Sequence, residues 1–260
     1  MLNIGLGLAK QVVDVSRRAG DEIMKIYQTD FDVRSKDDNS PVTLADQAAE
    51  DVILRALEEG ISGGLPVVSE EAASAGHIPV VRDTPFWLVD PLDGTKEFIN
   101  RNGEFTVNVA LLENTRPVLG VVHLPAQEVT YVGFNAGAFR IRGDAAREEI
   151  SCRPPPPSGL TALVSRSHRT PEVDVYLKNF TIGAEISAGS SLKFCRLAEG
   201  AADIYPRLGR TMEWDTAAGH GVLRFAGGVV QRIDGGELGY GKEGFENPHF
   251  VAAGAGVLGT

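Results

Sequence analysis

The sequence predicts two fused lobes, an α+β half followed by an α/β half, and three observations carry that expectation. Two helical stretches open the chain and are followed by apolar runs with a hairpin signal, so the first half is not purely βαβ. The segment "EEISCRPPPPSG" holds four consecutive prolines, Pro154 to Pro157, which neither a helix nor a central strand accommodates. Beyond it, strand-like and helix-like runs alternate as α/β units. The expected lobes are therefore residues 1–153 and 154–260. With 260 residues, 43% of them hydrophobic, the chain can bury a substantial core.

The elements follow in order. The opening "MLNIGLGLAKQVVDVSRRAG" has neither a long apolar core nor a small-residue cleavage site. It places Leu6, Val13, Ala19, Ile23 and Ile26 at helical spacing. "NSPVTLADQAAEDVILRALEEG" reads as a second helix, opened by Pro41, capped by Thr43 and ended by Gly60. "LPVVSEE" and "FWLVDP" are short strands that end on acids. "FTVNVALLENTRPVLGVVHLP" is a strand, a turn over Asn114 to Pro117, and a second strand. After the prolines come "LTALVS" (strand), "PEVDVYLKNF" (helix), "TIGAEIS" (strand), "SSLKFCRLAEG" (helix), "ADIYPR" (strand) and "DTAAGHGVLRFAGG", a helix ending on glycines.

A net charge of −10 excludes a chain that tracks a nucleic acid polymer by bulk charge, while local basic groups or metal ions can still hold a small anion. Cys152 and Cys195 lack any metal-ligand spacing and read as free thiols. The expected setting is the cytoplasm, with no transmembrane segment.

The chemistry is concentrated in "VDPLDGTKEF", residues 89–98. Strand ends are where α/β folds place ligand-binding groups. A turn fixed by Pro91 can aim Asp90, Asp93 and the Leu92 carbonyl at one point. Such oxygens suit a hard cation, Mg²⁺ or Mn²⁺ rather than Zn²⁺. Gly94 and Thr95 open a helix whose N–H groups suit phosphate oxygens. Alone, the motif also fits an ordinary turn with Asp93 as a helix cap. Other acids stand in comparable places: Glu70 and Glu71 end a strand, Asp215 follows Trp214 before a small-residue helix, and Asp46 lies on an otherwise apolar helix face. Each alone also fits a solvated charge. His123 and His220 have no partner pattern and read as structural.

The order Asp46, Glu70-Glu71, Asp90-Pro91-Leu92-Asp93-Gly94-Thr95 and Trp214-Asp215-Thr216-Ala217-Ala218 resembles the inositol monophosphatase family of metal-dependent, lithium-sensitive phosphatases. "SKDDNSPVTLAD", "WLVDPLDGTKEFINRNGEFTVNVAL", "SRSH" and "GSSLKFCRLAEG" resemble its 3′(2′),5′-bisphosphate nucleotidase branch, the CysQ type, over essentially the whole chain. The resemblance implies a layered αβαβα sandwich. It implies removal of the 3′-phosphate from adenosine 3′,5′-bisphosphate, a by-product of sulfate activation, by a metal-activated water. It assigns Glu70, Asp90, Leu92, Asp93 and Asp215 to two or three Mg²⁺ ions, and Asp46 and Thr95 to the attacking water. Substrate contacts fall to Glu70, Gly94, Thr95, His168, Ser190, Lys193, Arg207 and Asp215. Read as plain residues, Ser190 also suits a helix cap and Lys193 and Arg207 suit surface charges. Glu71 is expected behind the metal ligands, and Lys36 suits either the metal-bound waters or a solvated charge. A monomer or homodimer is expected, with loose membrane association left open. The rival readings are a broad inositol or sugar phosphatase and a non-catalytic metal- or nucleotide-binding protein.

Overall fold

The structure, a computed structural model, describes residues 3–29, 41–61, 63–81, 84–166 and 169–258. Two amphipathic helices, α1 (Leu6–Tyr27) and α2 (Pro41–Ala56), form the outer layer. Val12, Ala19 and Ile23 of α1 and Ala45, Ala49 and Ile53 of α2 recur at the helical period and are buried. They pack on Trp87, Val89, Val109 and Val121, which share one face of a seven-stranded sheet.

That sheet runs β1 (Val67–Ser69), β2 (Phe86–Asp93), β3 (Thr106–Glu113), β4 (Arg116–Leu124), β5 (Val129–Phe134), β6 (Gly137–Arg142) and β7 (Glu148–Ile150), in chain order. Only β1 and β2 are parallel. Between them lies the short helix α3 (Glu70–Ser74), and after β2 comes α4 (Thr95–Ile99). The second half supplies β8 (Leu160–Ser165), α5 (Pro171–Leu177), β9 (Ile182–Ala188), α6 (Leu192–Ala198), β10 (Ile204–Arg207), α7 (Trp214–Phe225), β11 (Val229–Arg232) and β12 (Phe250–Ala253). Its five-stranded sheet has the order β11-β12-β10-β8-β9, with β8 parallel to both neighbours and β12 antiparallel to both of its own. Helices α6 and α7 fill the space between the two sheets, and α5 covers the far face of the second. The layers are thus αβαβα, as expected.

Several boundaries differ from the sequence reading. Thr43 is the third residue of α2, not its cap, and Gly60 lies inside a π-helical turn, Leu57–Ile61. The strand before Glu70 ends at Ser69, so Glu70 and Glu71 open α3 instead of closing β1. Pro91 makes no sharp turn. Asp90 pairs with Asn108 and Asp93 with Thr106, so β2 carries one extra residue there, a bulge. A bulge tolerates proline because the local ladder is already interrupted. The hairpin turn is only Asn114-Thr115, both at positive φ, as a two-residue hairpin loop requires. Pro117 sits within β4, next to a second register shift.

One contact joins the two halves with little space to spare. Helix α7 lies across β3, β4 and β5. A Cβ on Gly120 would stand 2.3 Å from the Ala218 carbonyl oxygen, and one on Gly133 would stand 2.6 Å from that of Gly221. Backbone meets backbone here, and neither side can yield by rotating a side chain. The expected result for Gly133→Val is a loss of about 1–3 kcal/mol by overpacking, roughly 2–4 °C of Tm per kcal/mol for a protein of this class. Thermal denaturation checks it, and an unchanged Tm would mean that α7 is not seated so closely.

Candidate active site

The bulge after β2 and the start of α7 bring acids from distant parts of the chain together. Glu70, Asp90 and Asp215 each offer one carboxylate oxygen, and these oxygens all lie within 4.8 Å of one another. Asp90 is 1% exposed, and its Oδ1 is buried without a hydrogen-bond partner. Burial and mutual repulsion hold these groups far from ordinary carboxylate behaviour. Glu70 is pushed up to about 7, first by burial and then by Asp215 and Asp93. Asp215 is pushed up to about 7 by burial and Asp93. Asp90 is raised well above its usual value by burial and then by Glu70. Such repulsion is relieved by a proton or by a cation. The donor set fits a cation: only carboxylate oxygens converge, one of them orphaned, which suits Mg²⁺ or Mn²⁺.

Asp93 stands beside this trio but outside it. Its Oδ2 accepts from the Ser190 hydroxyl at 2.7 Å and the Ser191 N–H at 2.7 Å, with Thr106 Oγ1 at 3.4 Å and Asn108 Nδ2 at 3.3 Å. Leu92 lies within the bulge, its side chain buried. Asp215 is tied to the same region, because the Ser191 hydroxyl donates to its carbonyl oxygen at 2.6 Å.

Asp46 projects from α2, which packs on β2, α3 and α4. It is buried, and its pKa rises to about 9 through desolvation, then the charges of Glu71, Glu70 and Glu50. Glu50, one turn later, is also buried and accepts the Ala72 N–H at 3.1 Å. It thus caps α3 from outside, where Ser69 makes no capping bond of its own. Glu50 was missed in the sequence, where a D-x-x-x-E spacing on a helix is an unremarkable polar pair. Glu71 is raised by burial and by Glu50.

Gly94, at φ 95°, ends the bulge in a left-handed conformation that favours glycine, and Thr95 opens α4 with its side chain exposed. A cavity of about 260 Å³ extends from here, lined among others by Asp93, Thr95, Ser190, Lys193, Arg207 and Asp215. Its far wall is cationic. Lys193 is buried, with its pKa lowered to about 8 by desolvation, and its Nζ donates to the Ser190 carbonyl at 2.6 Å. Arg207 has a buried Nε without a partner, while its Nη2 donates to the Arg210 carbonyl at 2.9 Å. Ser190 does not cap α6. It sits at φ 51°, ahead of the helix, and spends its hydroxyl on Asp93 and Thr106. Lys193 therefore shares no helix face with Ser190 but folds back onto its carbonyl.

A profile of the inositol monophosphatase family matches residues 8–257. The chain belongs to the inositol monophosphatase family. Members are metal-dependent phosphatases, generally using Mg²⁺. Within the family, the chain is 45% identical over 243 residues to the 3′(2′),5′-bisphosphate nucleotidase CysQ of Escherichia coli K12, covering 92% of this chain and 97% of that one. It is 40% identical over 257 residues to the protein of that name from Buchnera aphidicola, covering 96% and 95%. The crystal structure of CysQ from Bacteroides thetaiotaomicron superposes with a TM-score of 0.81 at 39% identity, covering 95% of this chain and 96% of that one. An inositol monophosphatase from Zymomonas mobilis, at 24% identity and a TM-score of 0.78, shares the fold.

Of the residues singled out in the sequence, Glu70, Asp90 and Asp215 converge, Asp46 and Asp93 flank them, and Thr95, Ser190, Lys193 and Arg207 line the adjoining cavity. His168 and Lys36 lie outside the described residues. His123 and His220 are buried away from the acids, held by Thr130 and Tyr240, with pKa values lowered by burial to about 4 and about 3.

The pKa shifts set a sign for the effect of metal. Glu70 and Asp215 move from 4.5 and 3.8 to about 7. Between those values the metal-free fold binds more protons than the unfolded chain, so these groups cost stability as pH rises through that window. A bound cation removes that cost. Saturating Mg²⁺ should raise Tm little at pH 5 and progressively more towards pH 8, measured by differential scanning fluorimetry. An increment independent of pH would contradict this assignment of the acids.

Proposed function

We propose that the chain is a 3′(2′),5′-bisphosphate nucleotidase that hydrolyses the 3′-phosphate of adenosine 3′,5′-bisphosphate to AMP and phosphate, and accepts 3′-phosphoadenylyl sulfate by the same contacts. The carrying observation is the continuity of one cavity from Asp93 and Asp215 to Lys193 and Arg207. A substrate with a single phosphate needs only the acidic end, charged with its cation. A cationic far wall suits a second anionic group. The names of these relatives support the same reading.

In this reading, Glu70, Asp90, Asp93, Asp215 and the Leu92 carbonyl hold two or three Mg²⁺ ions. When bound, these supply charge neutralisation and polarise the phosphoryl oxygens. The rest is done by the chain. Backbone N–H groups at Gly94 and Thr95 hold phosphate oxygens. Asp46 accepts a proton from the attacking water, which the Thr95 hydroxyl orients. Attack at phosphorus breaks the P–O3′ bond, and the departing 3′-oxygen takes up a proton from solvent as Asp46 returns its own, so that the 3′-hydroxyl of AMP and free phosphate are formed. Lys193 and Arg207 receive the remote phosphate, with Ser190 beside the nucleoside; the nucleotide contact that the resemblance assigns to His168 lies outside the described residues. The first lobe, residues 1–153, thus carries most of the hydrolytic groups, and residues 154–260 carry the nucleotide contacts and Asp215. We place the reaction in the cytoplasm, in keeping with two unpaired thiols. No helix among the described residues is long and apolar enough to cross a membrane.

Asp46→Asn keeps the shape of the side chain and removes its basicity. Turnover should fall by about 10²–10⁴, while Mg²⁺ binding measured by calorimetry stays near wild type. Turnover close to wild type would remove Asp46 from the mechanism.

Lys193→Ala should cost kcat/KM for adenosine 3′,5′-bisphosphate roughly ten- to a hundredfold, the worth of one charge-assisted contact. A small monophosphate such as inositol 1-phosphate never reaches Lys193 and should lose little. An unchanged ratio of the two kcat/KM values would favour a broad small-phosphate phosphatase instead.

A further inference from the structure

Three segments from different parts of the chain meet beside the nucleotide end of the cavity. The first is the loop 100–105, which leads from α4 into β3. The second is Ser165-Arg166 at the end of β8, and the third is Ala188 to Ser191, which joins β9 to α6. One carboxylate ties all three. Arg166 meets Glu104 with both guanidinium ends, Nη1 to Oε2 at 2.6 Å and Nη2 to Oε1 at 3.1 Å. The same Glu104 Oε2 accepts the Gly189 N–H at 2.8 Å. Arg166 Nη2 also reaches the Ser187 carbonyl at 3.5 Å.

The held segment matters because of what it aims. Its carbonyls at Ala188 and Ser190 receive the Lys193 ammonium, at 3.4 and 2.6 Å. Ser165, which precedes Arg166, lines the cavity, as do Gly189 and Ser190. Neither Glu104 nor Arg166 is among the lining residues. Arg166 is 39% exposed at its side chain, and exposed ion pairs contribute little to overall stability. A fork-to-fork pair holds direction rather than energy. Its place between the lobes gives that direction a use.

We propose that Glu104 and Arg166 form an interlobe latch that positions the Gly189–Lys193 segment, and so sets selectivity for the bisphosphate without touching it. This rests on the nucleotidase reading above. Ser190 and Ser191 of the held segment donate to Asp93 at 2.7 Å each, while Thr106 and Asn108 hold it from its own lobe at 3.4 and 3.3 Å. Hydrolysis of a small monophosphate, which uses only the acidic end, is therefore expected to depend far less on the latch than hydrolysis of the bisphosphate.

The test measures kcat and KM separately for adenosine 3′,5′-bisphosphate and for 2-glycerophosphate. The proteins are wild type, Arg166→Ala, Arg166→Lys, Glu104→Gln and the double variant Arg166→Ala/Glu104→Gln. For Arg166→Ala we expect KM for the bisphosphate to rise roughly tenfold, the scale of one misdirected charged contact. Its kcat, both parameters for 2-glycerophosphate, and Tm should stay near wild type. Arg166→Lys should recover only part of the loss, because an ammonium cannot reproduce the two-pronged contact. The double variant should be no worse than the poorer single one, since the pair acts as a unit. Equal losses on both substrates, no loss on the bisphosphate, or additive losses would each overturn the latch. A wild-type enzyme that does not prefer the bisphosphate would instead defeat the nucleotidase reading, a result visible before any variant is compared.

Discussion

Like charge forced into a small buried volume is the constraint on which this structure turns. Glu70, Asp90 and Asp215 converge within a few ångströms, with Asp46 and Asp93 at their edges. Burial of these charges, reinforced by their mutual repulsion, is costly, and the raised proton affinities of Glu70, Asp90, Asp215 and Asp46 express it. A proton or a cation relieves such repulsion, and the all-carboxylate donor set suits the cation. Asp90 Oδ1, buried without a hydrogen-bond partner, fits the same reading.

Holding those acids together uses rigid backbone rather than flexible side chains. Glu70 stands at the first turn of α3, capped from α2 by Glu50. Asp90 and Asp93 flank a bulge that proline both permits and stiffens. Asp215 arrives on α7, which glycines allow to press against β4 and β5. The second half of the chain is bound to the first through Asp93 itself, since Ser190 and Ser191 both donate to its carboxylate. The group that completes the acidic end is thus the group that anchors the substrate-reading segment.

Much of this was legible in the sequence because the signals were local. Alternating apolar runs gave the strands, helical spacing gave α1 and α2, and four prolines marked the passage between the sheets. Asp90, Asp93 and Asp215 are legible because they stand at or near element ends, whereas Asp46, inside α2, is legible only through the order of the motifs. The misreadings were equally local. Pro91 and Pro117 read as turn residues in the sequence, but each lies at an irregularity in a continuous strand, where a missing N–H costs little. Glu70 and Glu71 were assigned to a strand end because helix α3 has only five residues, too few for a period to show. Ser190 also suits a helix cap on sequence alone, yet its left-handed backbone places it before the helix. Nothing local in the sequence ties Glu50, Glu104 or Arg166 to its partners. Their importance lies in partners from 22 to 85 residues away, which only the fold reveals.

The most direct test of the account is to see the cation. Crystals grown with Mn²⁺ and measured at its absorption edge would give anomalous density wherever the ion binds. The account predicts at least one strong peak bounded by Glu70, Asp90 and Asp215, lost in Asp90→Asn. Density elsewhere on the surface, with none among these three carboxylates at saturating Mn²⁺, would contradict it.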